Sequence, residues 1–199
     1  MTASCDGVAK LGFGAMRLPL TDPDDVTAID IDQLKDMVDE FIAKGGTYVD
    51  TAFVYHNGAS ETALREALVE RYPRDAFTVA TKCLAWACAS KEEAQACPPT
   101  SLERLGVDYI DYYLLHTLQT LDVYQEIYEK RGILAYLQEQ KRRGRIRSLG
   151  FSFHGTRPLM NHLLDCGVKW DFVQIQCNYH DWERGSELPA WAQQEERVP

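Results

Sequence analysis

Four residues with acid–base side chains each lie at or just past the end of a predicted strand: Asp50, Tyr55, Lys82 and His116. The C-terminal ends of parallel strands meet at one rim, so polar residues from separate strands can converge on one pocket. A carboxylate, a phenol, an ammonium and an imidazole gathered there could transfer a proton. The set therefore indicates an enzyme.

The elements that would position these residues alternate along the chain as capped helix, glycine and β-rich strand. Asp30 can cap a helix whose apolar residues recur at helical spacing, and Gly45 with Gly46 would end that helix. Ser60 is predicted to cap a second helix. Six strands are expected in all: Lys10–Phe13, Thr47–Thr51, Phe77–Lys82, Tyr109–Leu115, Arg147–Phe151 and Phe172–Gln176.

Strands that alternate with helices over short connections imply parallel pairing through right-handed crossovers. A closed (β/α)8 barrel of the TIM type has eight strands and typically ~250 residues. Residues 183–199 form an irregular polar tail that could hold a short helix but not two more βα units. We therefore expect a single α/β domain over residues 1–199, a TIM-type barrel that is incomplete, with about six of eight strands.

A Pro98-Pro99 pair lies inside the helical segment predicted from Ser90 to Leu105. Proline in a helix interior costs ~3 kcal/mol or more, because it removes a donor and its ring clashes with the preceding turn. The sequence therefore predicts a break at these prolines. Thr100 could cap a short helix that restarts after the break.

Composition narrows the function class. The net charge is -9 and the sequence pI is about 5.0, with basic residues scattered, which disfavours a nucleic-acid partner. No apolar stretch approaches the ~20 residues that span a bilayer, and the N-terminus lacks a signal-peptide pattern, so a cytoplasmic protein is expected.

The six cysteines are irregularly spaced without a C-x-x-C pair. We expect reduced thiols and neither a metal site nor an iron–sulfur cluster.

Seven motifs follow one another in a specific order: Leu11–Pro19, Val49–Ala52 with Tyr55, Ser60-Glu61, Thr81-Lys82, Leu105–Asp111 with His116, Gly144–Ser152 and Gln174–Asn178. Each motif alone is a weak signal. Together, in this order and spacing, they resemble the aldo-keto reductase family over about residues 10–182. Within that family the chain is most similar to bacterial oxidoreductases whose full-length members can add a C-terminal iron–sulfur segment.

The resemblance implies NADPH-dependent reduction of an aldehyde or ketone to an alcohol. Tyr55 would be the acid that protonates the carbonyl oxygen, and Lys82 the cation that stabilises the resulting phenolate. Asp50 would hold the Lys82 ammonium, and His116 would orient the carbonyl. Taken singly, each residue also has an ordinary structural interpretation: a packing tyrosine, a solvated lysine, a turn-forming aspartate and a core histidine.

The resemblance also implies a loop beneath the nicotinamide ring, formed by Gly14, Ala15 and Met16. Arg17 would follow this loop, where it could either reach the cofactor pyrophosphate or be an ordinary surface arginine. His56 comes directly after the candidate acid. We expect it to be a solvated loop histidine, with substrate contact as the alternative.

Three further residues match family positions near the nicotinamide carboxamide: Ser152, Gln174 and Asn178. Trp86 follows the strand that ends at Lys82, and aromatic residues on this rim often form the apolar part of a pocket. His154 lies on a strand-end loop, where it could line the substrate or cofactor mouth or serve only the fold. Both are candidate substrate residues.

The family places its nicotinamide-stacking and 2'-phosphate-binding segments on the seventh and eighth strands, for which this sequence has no counterpart. We therefore expect weak NADPH affinity unless another chain supplies these contacts, and self-association through exposed sheet edges becomes possible. An alternative function remains, in which the chain is a non-catalytic aldo-keto reductase remnant that acts as an interaction or assembly domain. A barrel enzyme acting on phosphorylated substrates is disfavoured, because no glycine-rich phosphate loop occurs late in the chain.

Overall fold

A computed structural model describes residues 11–176 of the 199-residue chain. The predictions for Lys10, Cys5, Cys177, Asn178 and the tail at 183–199 lie outside these residues. Within the described range the chain divides into two compact units. The first contains residues 11–83 and 96–112, and the second contains residues 84–95 and 113–176.

The first unit contains the strands and helices β1 (Phe13–Gly14), α1 (Ile31–Ala43), β2 (Tyr48–Asp50), α2 (Ala59–Leu64) and β3 (Thr78–Cys83). Tight turns occur at Tyr55–Gly58 and Arg74–Ala76, and α2 continues as a π-helical stretch over Arg65–Val69. β1 pairs with β2 and β2 with β3, both in parallel. This register places Asp50 opposite Gly14 on one side and Ala80 on the other.

Helix α3 (Lys91–Leu105) and strand β4 (Ile110–Leu118) include residues of both units. The second unit continues with α4 (Leu121–Val123), a π-helical stretch over Tyr124–Lys130, α5 (Ile133–Arg142), β5 (Ile146–Phe153), α6 (Arg157–Asp165) and β6 (Phe172–Ile175). A single turn at Ala85–Ala87 precedes α3. β5 and β6 are parallel, with Ser152 opposite Gln174.

The six strands follow one another in the sheet in chain order, β1-β2-β3-β4-β5-β6, with helices between them. This succession is that of a (β/α)8 barrel, of which residues 11–176 supply six strands. The predicted α/β architecture of the incomplete TIM type is confirmed, and each predicted strand overlaps an observed one. In the same range, no helix is both long enough and apolar enough to cross a bilayer.

Helix α1 forms as its sequence predicts. The Asp30 side chain accepts a hydrogen bond from the backbone N–H of Gln33 at 2.9 Å, which satisfies one of the donors left open at a helix start. Leu34 and Val38, four residues apart, are buried. Gly45 follows the helix with φ +83°, a left-handed conformation that glycine adopts without steric cost.

The predicted cap at Ser60 is wrong. Helix α2 begins one residue earlier, at Ala59, after Gly58 in a left-handed conformation. The Ser60 hydroxyl lies 2.8 Å from the hydroxyl of Thr51 and donates to the carbonyl of Ala15 at 3.0 Å. Its hydrogen bonds therefore join α2 to the residue after β2 and to the residue after β1, which is 45 positions away.

The predicted break at Pro98-Pro99 is also wrong, because α3 runs unbroken through both prolines. Proline fixes φ near -65°, which is a helical value, so each proline removes a donor without forcing the chain out of the helix. The start of α3 is fixed by Ser90, whose hydroxyl accepts from the backbone N–H of Glu93 at 3.1 Å. One face of α3 is buried at Ala94, Cys97, Ser101 and Leu105. Burial of this face outweighs poor helix propensity.

Each unit has its own apolar core. In the first, the fully buried side chains include Leu34, Val49, Leu64, Leu68 and Val79. In the second, they include Tyr124, Tyr128, Leu137, Phe151 and Leu163. Phe151 packs edge-on against Trp170 with ring centroids 5.0 Å apart, a favourable aromatic geometry. These cores hold the strand ends that carry the candidate site.

Candidate active site

Three of the four candidate catalytic residues meet in the first unit, around the buried side chain of Lys82. Its ammonium lies 2.5 Å from a carboxylate oxygen of Asp50 and donates to the carbonyl oxygen of Thr51 at 2.7 Å. The hydroxyl of Tyr55 lies 3.4 Å from the same nitrogen. The parallel pairing of β2 with β3 produces this arrangement, because it brings both strand ends to one edge.

Burial lowers the pKa of Lys82 and raises the pKa of Tyr55. Burial lowers the pKa of the Lys82 ammonium, whereas the adjacent Asp50 carboxylate raises it. Burial, with Asp50 as a second cause, raises the pKa of Tyr55 to about 12. We expected Lys82 to favour the phenolate of Tyr55, but desolvation dominates the net shift. The phenol is therefore protonated at neutral pH, which is the form that a general acid requires.

Tyr48 is a neighbour of Asp50 that sequence reasoning missed. Its hydroxyl lies 3.5 Å from Asp50 Oδ2, at the outer limit of a hydrogen bond, and burial raises the pKa of this phenol. Its ring packs edge-on against Tyr112 at 5.4 Å between centroids. The signal that could have found it is strand alternation, since residues two apart on a strand face the same side.

The turn after Tyr55 is held in an unusual backbone conformation. His56 and Asn57 both have φ +53°, and Gly58 has φ +92°. The His56 ring lies 2.7 Å from the Val26 carbonyl oxygen through Nδ1, and Nε2 accepts from the backbone N–H of Leu18 at 3.0 Å. These partners select the tautomer with hydrogen on Nδ1. His56 is half-buried, and its ring joins two backbone segments, a role that the expectation of a solvated loop histidine did not include.

The predicted cofactor loop follows β1 and is fixed to the strand that carries Asp50. Ala15 is fully buried, and its backbone N–H donates to the Asp50 carbonyl at 2.8 Å. The next side chains are accessible: Met16 is 55% exposed and Arg17 is also exposed. At Gly14 the space that a Cβ would occupy is open to 4 Å. The backbone of this loop is thus anchored, while its side chains are available to a ligand.

In the second unit, Ser152 on β5 lies opposite Gln174 on β6. Ser152 is buried, and its hydroxyl lies 3.1 Å from Nε2 of His154, whose backbone N–H donates to Leu118 at 2.9 Å. A hydroxyl and a carboxamide on neighbouring strands offer both donors and acceptors. This donor set fits the carboxamide of a nicotinamide, which itself has one acceptor oxygen and an NH2 donor.

His116 lies on β4 in the second unit and is buried, with 8% of its surface exposed. The indole N–H of Trp86 donates to the His116 carbonyl at 3.2 Å. The next residue, Thr117, has φ +55°, an outlier for a β-branched side chain that costs about 1–3 kcal/mol. No sequence signal indicated this strain. It occurs beside His116, a candidate catalytic residue.

A cavity of about 370 Å³ lies beside Trp86 and Thr117 in the second unit. Its other lining residues are Gln119, Thr120, Asp122, Val123, Glu126 and Ile127. The volume lies within the range of small-molecule pockets, and Trp86 contributes an indole that is 45% exposed. Between residues 11 and 176, no group of three or more histidine, cysteine, aspartate or glutamate residues could hold a metal ion.

Comparison of the sequence with known proteins gives consistent matches. The family model of the aldo/keto reductase family matches residues 10–196. The "probable aldo-keto reductase 1" of Glycine max is 33% identical, over 73% of this chain and 41% of that protein. The NADH-specific methylglyoxal reductase of Escherichia coli is 32% identical, over 53% of this chain and 36% of that protein. The chain thus spans less than half the length of these curated relatives.

Solved structures give the same fold. The aldo-keto reductase AKR11C1 of Bacillus halodurans superposes with a TM-score of 0.67 and 27% identity, covering 85% of this chain and 54% of that one. An aldo-keto reductase of Klebsiella pneumoniae in complex with NADPH gives 0.71 at 24% identity, covering 96% of this chain and 62% of that one. With the match over residues 10–196, these findings show that the chain belongs to the aldo/keto reductase family.

Proposed function

We propose that this chain carries out NADPH-dependent reduction of an aldehyde or ketone to an alcohol. The observation that supports this most is the contact of the Lys82 ammonium with both the Asp50 carboxylate and the Tyr55 hydroxyl. Two Escherichia coli relatives are named methylglyoxal reductases, which favours a small aldehyde as substrate. One of them is named NADH-specific, so the choice between the two nicotinamides is part of the test.

Carbonyl reduction adds a hydride to carbon and a proton to oxygen. In this proposal the Tyr55 hydroxyl gives its proton to the carbonyl oxygen, and the phenolate left behind is reprotonated from solvent. The raised pKa of Tyr55 keeps the phenol protonated until the substrate oxygen becomes the stronger base. Lys82, 3.4 Å away, stabilises the phenolate as it forms, and Asp50 holds the ammonium in place.

When bound, NADPH supplies the hydride. We assign its carboxamide to the Ser152 hydroxyl and the Gln174 amide, whose donors and acceptors complement it, and Asn178 to the same group by motif. The loop of Gly14, Ala15 and Met16, with Arg17 after it, is assigned to the ring and its neighbouring phosphates. That loop is backbone-anchored on β2, which is the rigid support that a cofactor site needs.

His116 is assigned the orientation of the carbonyl oxygen, and Trp86 with His154 the lining of the substrate site. The cavity beside Trp86 supports the assignment of Trp86, because its size suits a small carbonyl compound and one wall is aromatic. The assignment of His116 rests on the family resemblance, and that of His154 on its position directly after β5. The hydrogen bond from Trp86 to the His116 carbonyl supports a role for Trp86 in fixing β4 as well. Substrates with an apolar part next to the carbonyl are expected to be preferred.

The proposal is tested by titrating monodisperse protein with NADPH and NADH, followed by nicotinamide fluorescence. Saturable binding, together with aldehyde-dependent loss of nicotinamide absorbance, is the expected result. Binding that never saturates, with no turnover of any aldehyde in a panel that includes methylglyoxal, would contradict the proposal. That result would favour the alternative, in which the chain is a non-catalytic interaction or assembly domain.

A further inference from the structure

An ion pair between a half-buried arginine and a fully buried glutamate lies in the first unit beside the turn that carries Tyr55. Glu61, in α2, is fully buried. One of its carboxylate oxygens accepts from the Thr81 hydroxyl at 2.7 Å, and the other lies 3.4 Å from a guanidinium nitrogen of Arg104 on α3. Removing a carboxylate from water costs several kcal/mol, roughly, which the partners must offset. The buried Glu61 carboxylate therefore depends on its contacts with Thr81 and Arg104 to offset the cost of its desolvation.

Arg104 lies beside both ends of the segment Phe53–Gly58, the Tyr55 turn. Its Nη1 donates to the Phe53 carbonyl at 3.0 Å, and the guanidinium lies over the Phe53 ring at 4.2 Å from the centroid. At the other end, a Cβ added to Gly58 would lie 3.1 Å from the same nitrogen. The guanidinium therefore contacts Phe53, two residues before Tyr55, and faces the open side of Gly58, three residues after it.

Glu61 contacts the residue that precedes Lys82 in the sequence. Thr81, which donates to Glu61, directly precedes Lys82 on β3. The contacts therefore form a series: Thr81 with Glu61, Glu61 with Arg104, and Arg104 with the Tyr55 turn. Tyr55 and Lys82 lie on different segments, so their separation depends on what joins those segments.

We propose that Glu61 and Arg104 are positioning residues that set the distance between the Tyr55 hydroxyl and the Lys82 ammonium; this inference rests on the proposed function. A misplacement of about 1 Å at a reacting group can cost on the order of 10²-fold in rate. The backbone of the turn is already strained at His56 and Asn57, which both have positive φ. Loss of the Glu61 and Arg104 contacts therefore lets this backbone relax.

Arg74 provides a matched control. Like Arg104, it lies in the first unit, donates to a backbone carbonyl (that of Phe77, at 2.9 Å), pairs with a buried carboxylate (Asp111, at 2.5 Å) and lies over an aromatic ring (Tyr109, at 4.1 Å). None of these partners belongs to the candidate active site. Loss of Arg74 therefore removes the same kinds of contact without touching the Tyr55 turn.

The test compares Arg104→Ala, Arg104→Lys and Glu61→Gln with Arg74→Ala. The positioning role predicts a kcat for aldehyde reduction that falls on the order of 10²-fold in Arg104→Ala, with the Kd for NADPH within about twofold of the parent. The primary isotope effect with deuterated cofactor should rise, because the chemical step becomes limiting. Added ethylguanidinium should restore part of the lost kcat in Arg104→Ala. Arg74→Ala should show none of these changes in its folded fraction.

Arg104→Lys and Glu61→Gln keep the test valid where Arg104→Ala does not fold. Amide hydrogen exchange of the Phe53–Gly58 segment gives a readout that needs no turnover. Faster exchange there in the Arg104 and Glu61 variants, but not in Arg74→Ala, supports the positioning role of Glu61 and Arg104. This result is informative even where no aldehyde is reduced and the proposed function fails. Unchanged exchange in this segment, or equal losses of kcat in the Arg104 and Arg74 variants, would overturn it.

Discussion

The ammonium of Lys82 lies 3.4 Å from the phenolic oxygen of Tyr55 and is held at 2.5 Å by the carboxylate of Asp50. The carboxylate disfavours the phenolate before reaction, while the ammonium favours it once the proton has left. Because burial raises the pKa of Tyr55, the resting site keeps its proton. Tyr55 is therefore an acid that keeps its proton in the resting site and releases it only when negative charge develops on the substrate oxygen.

Replacing Asp50→Asn should reduce kcat about 10- to 100-fold and lower the pKa of Lys82 further, since the carboxylate raises that pKa. The physical reason is that Lys82 loses the partner that favours its charged form. The measurement is a pH profile of kcat, in which the loss of activity on the alkaline side should begin at lower pH than in the parent. Asp32→Asn on the exposed surface of α1 is the control. An unchanged pH profile would show that Asp50 does not raise the pKa of Lys82.

Alkaline titration should reveal Tyr55 as a late-ionising tyrosine. Its folded pKa of about 12 exceeds the ordinary value of 10, so the native state holds the proton more tightly than the unfolded state. The stability from this group is complete below about pH 10 and is lost as the pH rises from there to about 12. Tyrosinate absorbance of Tyr55→Phe, subtracted from that of the parent, should show one group titrating near 12. A difference curve centred at 10 would refute the buried environment.

Ser152→Ala and Gln174→Ala should each weaken NADPH binding about tenfold, because each removes one hydrogen bond to the carboxamide. The double variant should show non-additive loss, since the two side chains lie opposite each other in the β5–β6 register. Fluorescence titration measures these affinities. Ser148→Ala, on the same strand, is the matched control. Affinities unchanged in both single variants would remove Ser152 and Gln174 from the cofactor site.

Gly150→Ala should destabilise the second unit by about 2 kcal/mol or more. A Cβ at Gly150 would lie 2.4 Å from the Phe172 carbonyl oxygen and 2.8 Å from its ring, so β5 and β6 must separate. Gly14→Ala, where the same atom has open space to 4 Å, should change the free energy of unfolding by less than about 0.5 kcal/mol. Denaturant unfolding measures both. Equal stabilities of the two variants would show that β6 does not pack on β5 at this point.

The sequence predicted those parts of the fold that depend on local signals. The cap of α1 at Asp30, its end before Gly45 and the alternation of strands and helices follow from side chains and backbone preferences within a few residues. The predictions of a cap at Ser60 and of a break at Pro98 were wrong for the opposite reason. There the outcome depends on partners far along the chain and on burial of a helix face, which local rules do not include.

The candidate site shows the same division. Asp50 and Lys82 could be found because they lie at or next to the ends of strands, and strand ends converge by topology. The contacts of His56 with Leu18 and of Arg104 with Phe53 could not be found, since they join residues 38 and 51 positions apart. The left-handed backbone of Thr117 is likewise a property of the packed strand, and its residue type argues against it.

Tyr55 is tested as the proton donor by NADPH-dependent reduction of methylglyoxal and benzaldehyde, measured for the parent protein and for Tyr55→Phe. We expect turnover in the parent and its loss by on the order of 10²-fold or more in Tyr55→Phe, with cofactor binding retained because only the proton donor is removed. Turnover in Tyr55→Phe equal to that of the parent would contradict the assignment of Tyr55 as the acid, and with it the central claim about this site.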